Sequence, residues 1–156
     1  MIDWNKVLEM QKKLDEVIYR NAGITRFPIK ETKIALLVEI GELANEVQDF
    51  KYWKKHKNVD KEKVLEEWAD CMHFAASIYN FTNNLINIEF CYGGIEIIDI
   101  FKEAMRFNNS RESDEFYIIE ELISYGVLNL GFTEKELFDA YCKKNKKNYK
   151  RQREGY

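Results

Sequence analysis

Apolar and polar residues divide along this chain into helical stripes. Val7, Leu14, Val17 and Ile18 recur at helical spacing and predict a first helix, capped by Asp3 and running to about Arg20, which NAGITRFP then breaks. A second helix is expected from about Lys30 to Trp53; its opening part, KIALLVEIGEL, is apolar on nearly every side, as in a helix inside a bundle. KKHKNVDKEK reads as a solvated connection in which Asp60 caps a third helix from about Lys61 to Phe81, almost wholly apolar after Glu67. Asn-Asn and Gly-Gly break the pattern between Asn83 and Gly94, after which helices are expected over Ile95 to Phe107 and from about Ser113 to Tyr125. Thr133 and Glu136 make a T-x-x-E capping box, opening a last helix that carries Leu137, Phe138 and Tyr141 into a basic tail.

Composition supports an all-α reading, since a single Pro and seven Gly leave long stretches uninterrupted. The 156 residues fit one domain, 1–156, large enough to fold without disulfides. A net charge of −3 argues against a chain whose main task is gripping nucleic acid. The opening MIDWNKVLEMQKK is not built like a signal peptide, and no apolar run approaches the ~20 residues of a membrane span. Cys71, Cys91 and Cys142 form no CxxC pair and suit free thiols in a reducing cytoplasm.

Glu39 and Glu42 are spaced i, i+3, so on a helix their side chains leave the same side and can converge; Glu67 and Asp70 repeat the spacing. Each pair is embedded in apolar sequence. Buried carboxylates brought together are costly unless a cation compensates them, so a metal is the economical explanation of two such pairs. All-oxygen ligation suits a hard cation, Mg²⁺ or Mn²⁺, which also holds phosphates. A di-iron bundle would need Glu-x-x-His pairs from two helices, whereas the chain has only His56 and His73.

Other polar residues interrupt apolar faces. Gln11 and Asp15 fall in the arc of Trp4, Val7, Leu8 and Leu14, where buried polar groups require partners. Tyr52 and Trp53 offer aromatic faces on which a planar ring would stack. In the basic tail, Tyr141, Lys144, Asn145, Asn148, Arg151 and Gln152 share one arc, while Lys143, Lys146, Lys147, Lys150 and Arg153 fall on the other and read as solubilising.

EIGELANEVQDFKYW followed by EEWADCMHF resembles the motifs of the all-α NTP pyrophosphohydrolases, the MazG-like superfamily, and within them the dimeric dUTPases. The resemblance implies a homodimeric bundle of about five to six helices that cleaves dUTP, and dUDP as a second substrate, to dUMP. It maps the metal ligands onto Glu39, Glu42, Glu67 and Asp70, holding two or more Mg²⁺ ions with Mn²⁺ able to substitute. A metal-activated water would be the nucleophile, oriented or deprotonated by Glu39 or Glu42. MQKKLDEVI resembles the motif whose amide reads the uracil edge, making Gln11, with Asp15, the base-binding candidate. His73 resembles a histidine placed near the deoxyribose. Lys144, Asn148, Arg151 and Gln152 resemble the late motifs that clamp the phosphates, and Gly155 and Tyr156 the closing Gly-Tyr. A MazG-like hydrolase of another nucleotide, such as dCTP, and a non-catalytic helical interaction module are the alternatives.

Overall fold

A computed structural model describes residues 2–82, 85–86, 94–106 and 116–155. Among them are α1 (Asn5–Ala22), α2 (Ile29–Val47), α3 (Lys61–Thr82), α4 (Ile97–Arg106), α5 (Ile118–Ser124), a π-helical turn (Tyr125–Asn129) and α6 (Glu134–Arg153), with no strand. The expected all-α bundle is therefore what the chain builds. None of these helices is long and apolar enough to cross a membrane.

α3 is the central element, packed against α2, α6, α1 and α5. Its sequence turns almost wholly apolar after Glu67 because most of its surface is covered: Trp68, Ala69, Cys71, Met72, Ala75, Ala76 and Ile78 are fully buried, and its polar Asp70, His73 and Ser77 line a cleft. Trp68 anchors this centre, donating its indole N–H to the Leu122 carbonyl at 2.8 Å, with Trp4 edge-on against it at 6.2 Å. Truncating such a side chain to Ala costs about 3–5 kcal/mol. Close packing also explains Gly126 in the π-helical turn, where a Cβ would lie 2.7 Å from Leu137 Cδ1 and 3.2 Å from Trp68 Nε1.

Local signals set the helix ends. The Asp60 carboxylate accepts the Glu62 and Lys63 N–H groups at 3.0 and 3.4 Å, and Thr133 and Glu136 close the capping box at the start of α6. Asp3 accepts the Asn5 N–H at 3.2 Å, with Trp4 between it and the helix. Gly23, at φ 67, turns the end of α1.

α2 corrects the expected boundary: it ends at Val47, not Trp53. Gln48 takes a left-handed conformation, φ 66. Its side chain then ties down the loop, donating to the Asn58 carbonyl at 2.9 Å and accepting from Lys54 at 3.1 Å. No Gly or Pro marks this break, so the pattern alone ran past it. α4 starts two residues later than expected and α5 starts at Ile118; the expected start at Ser113, like Phe107, Cys91 and Tyr156, lies outside the described residues.

Candidate active site

α2 and α3 pack side by side, and their i, i+3 carboxylate pairs turn into one cleft. Glu39, Glu42, Glu67 and Asp70 all line this cavity of about 620 Å³, with Gln11 and Asp15 from α1 and Lys144, Asn148, Arg151 and Gln152 from α6. A carboxylate oxygen from each of Glu39, Glu67 and Asp70 lies within 4.8 Å of the other two. Glu42 is more exposed and lies outside that triad.

Burial, then Asp70, Glu42 and Glu67, push the Glu39 carboxyl up to about 7. Burial, then Asp70 and Glu42, do the same to Glu67. Burial also raises Asp70, against the pull of Lys144. The buried Lys144 ammonium bridges Asp70 and Glu66, the latter at 3.0 Å. Burial works against its charge, yet these two carboxylates raise it above the ordinary lysine value.

One ammonium therefore serves a triad that is unfavourable to ionise, while the donor set is entirely oxygen. Both properties fit a hard divalent cation at Glu39, Glu67 and Asp70, with Glu42 in reach of the same cleft. A di-iron site does not fit: His56 is exposed, and His73 turns its Nδ1 to Gln11.

The same cleft is also lined by a buried polar network. Gln11 donates through Nε2 to Asp15 Oδ1 at 2.8 Å and Ser77 Oγ at 3.2 Å. Its Oε1 accepts from the Tyr141 hydroxyl at 3.0 Å and lies 2.5 Å from His73 Nδ1. Burial pushes Asp15 up to about 6, against the hydrogen bonds from Gln11 and Ser77, and with Lys144 pulls His73 down to about 3. The imidazole stacks on Tyr141, centroids 4.3 Å apart.

Eleven of the thirteen residues singled out in the sequence line this cavity; Tyr52 and Trp53 do not. They are 89% and 60% exposed, because Gln48 ends α2 before them and the chain turns away from the cleft. Asn145, on the expected arc, is buried but does not line the cavity. Phe74, Ser77 and Thr32 line it and were not singled out for it. Ser77 lies one turn beyond His73, so extending that face by four residues reaches it; for Thr32, just inside α2, the sequence carried no signal.

A family model described as dUTPase matches residues 3–156. Comparison with curated proteins returned no match. The family match spans the four acidic positions and the α6 residues facing them, and the chain belongs to the dUTPase family, enzymes that act on dUTP.

Proposed function

We propose that the chain cleaves dUTP to dUMP and pyrophosphate with two or more Mg²⁺ ions, Mn²⁺ able to substitute, with dUDP as a second substrate. The supporting observation is the Glu39, Glu67 and Asp70 triad, gathered within 4.8 Å in a cleft that also presents cationic side chains and a buried hydrogen-bonding network. Glu39, Glu42, Glu67 and Asp70 would hold the ions. When bound, Mg²⁺ neutralises the triphosphate and acidifies an attacking water.

The chain's own groups supply the rest. Glu39 or Glu42, the two carboxylates that α2 turns into the cleft, orients the water or takes its proton. Lys144 and Arg151 neutralise charge on the departing pyrophosphate, and Asn148 and Gln152 donate to its oxygens. Lys144 exchanges its carboxylate partners for phosphate as substrate enters. At the base end, a uracil carbonyl takes over the longer Gln11 bond, the 3.2 Å one to Ser77, while Asp15 keeps the amide oriented. The half-buried Phe74 ring lines the same cleft and offers a stacking surface in place of Tyr52 and Trp53.

The test is a panel of dNTPs and NTPs assayed for pyrophosphate release with Mg²⁺ and with EDTA. Preference for dUTP, lost with EDTA, is expected; preference for dCTP or dATP would move the substrate elsewhere in the MazG-like superfamily. No release with any nucleotide would favour an interaction module.

A homodimer belongs to the same proposal. Ile34 and Val38 stand one turn apart on α2, 63% and 52% exposed, and Ile98 and Met105 on α4 are 47% and 53% exposed. Lys33 donates to the Met105 carbonyl at 2.9 Å, fixing the end of α4 beside this part of α2. Light scattering should give twice the 18.7 kDa chain mass, and Val38→Glu should lower it towards one chain. A wild-type monomer would reject the dimer. The unpaired thiols Cys71 and Cys142 suit a cytoplasmic setting.

A further inference from the structure

The Gln11 amide is saturated: two N–H bonds go out to Asp15 and Ser77, and Oε1 faces Tyr141 and His73. Its orientation follows from Asp15, because an ionised carboxylate only accepts, so Nε2 must point at it. Oε1 then faces His73 Nδ1, and two acceptors cannot share a 2.5 Å contact. The proton therefore sits on Nδ1. His73 is 4% exposed, and its Nε2 is buried without a hydrogen-bond partner in the wall of the nucleotide cleft. A buried acceptor without a donor is costly, so a missing ligand group is its natural partner.

We propose that Asp15, acting through Gln11, is a positioning residue that holds His73 as the Nδ1–H tautomer, leaving Nε2 as a fixed acceptor for an O–H or N–H donor on the nucleoside. Ser77 supports it: its oxygen accepts from Gln11 Nε2 at 3.2 Å, and its one proton goes to Asp15 Oδ1 at 3.1 Å or to the His73 carbonyl at 3.2 Å. Tyr141 fixes the ring from the other side, stacking on it while donating to the same Gln11 oxygen. Burial and Lys144 keep the imidazole neutral, so Nε2 accepts throughout the neutral range.

The consequence is selective. Uracil carries a donor at N3, where cytosine carries an acceptor; a deoxyribose carries a donor at its 3′ hydroxyl. Either source supplies the hydrogen bond, and both are absent from a free triphosphate. The inference rests on the nucleotide reading above, yet the tautomer can be read without turnover.

With ¹⁵N-labelled histidine, two-bond correlation spectra contain only His56 and His73. The substrate-free wild type should show His73 protonated at Nδ1 alone, and Asp15→Asn, whose amide both donates and accepts, should lose that single tautomer. Should Asp15→Asn fail to fold, the wild-type spectrum decides by itself, since a proton on Nε2 overturns the proposal. In kinetics, His73→Phe preserves the stack on Tyr141 and should raise KM for dUTP about tenfold with kcat little changed, the scale of one lost hydrogen bond. The same substitution should cost nothing further on the analogue that lacks the donor: 2′,3′-dideoxyuridine triphosphate if the hydroxyl is the partner, N3-methyl-dUTP if the base is. Equal losses on dUTP and both analogues would overturn the acceptor role. A pure Nδ1–H tautomer in a protein that never turns over dUTP would instead sink the nucleotide reading and leave the relay standing.

Discussion

Glu67→Gln should abolish most Mg²⁺-dependent dUTP turnover while leaving the bundle folded. The substitution keeps size and one carbonyl oxygen but removes the negative charge that a hard cation needs. Disturbing groups that only orient metal ligands already costs about 10–100-fold, so losing a ligand should cost roughly a hundredfold or more. Stability should move the other way. In the metal-free chain, burial, Asp70 and Glu42 make the Glu67 charge unfavourable, and a neutral amide relieves that repulsion. A metal-free variant with an equal or higher Tm, but little turnover, would show a residue kept for chemistry at the expense of stability. Turnover close to wild type would remove Glu67 from the site.

Without divalent cations the protein should become less stable as the pH rises from about 4 to about 8. Asp15 is pushed up to about 6, and Glu39, Glu67 and Glu121 to about 7, each by burial first. A folded-state pKa above the unfolded one means that the folded chain holds more protons between the two values. Stability then falls as pH climbs through that window and levels off above it. Groups shifted the other way do not reverse this: Glu66, lowered to about 2 by Lys147 and Lys144, loses its contribution only in acid, and His73, pulled down from 6.5 to about 3 by burial, opposes the fall below about pH 6.5 as one group against these carboxyls. Mg²⁺ or Mn²⁺ should restore the deficit, with a gain in Tm that is larger at pH 8 than at pH 5.5 because the ligands bind as carboxylates. Thermal melts at both pH values, with EDTA or with the cation, check it. A metal-free Tm that rises towards pH 8 would contradict the burial of these groups.

Much of the fold was legible because its signals are local. Asp60 caps α3 and Thr133 with Glu136 opens α6 as a capping residue does anywhere, and the almost wholly apolar stretch of α3 pointed to a place at the centre. The end of α2 was not legible: Gln48 breaks it through bonds to Asn58 and Lys54, contacts that exist only once the loop has folded. That one boundary carried Tyr52 and Trp53 out of the cleft. For the site, i, i+3 spacing gave the side on which each acidic pair leaves its helix, and the arc on α6 gave Lys144, Asn148, Arg151 and Gln152. Spacing within a helix cannot say that Asp70 would pair with Lys144, 74 residues away, or that Gln11 would meet Tyr141 across 130. The withdrawal of Glu42 from the triad is likewise a property of packing between helices.

The most direct measurement is a calorimetric titration of Mn²⁺ into the EDTA-stripped chain at pH 7, with proton release followed in buffers of different ionisation enthalpy. Saturable binding that releases protons is expected in the wild type, and its loss when Glu39, Glu67 and Asp70 are replaced together by Gln, Gln and Asn. Binding that survives the triple substitution, or no binding by the wild type, would contradict a cation held between α2 and α3.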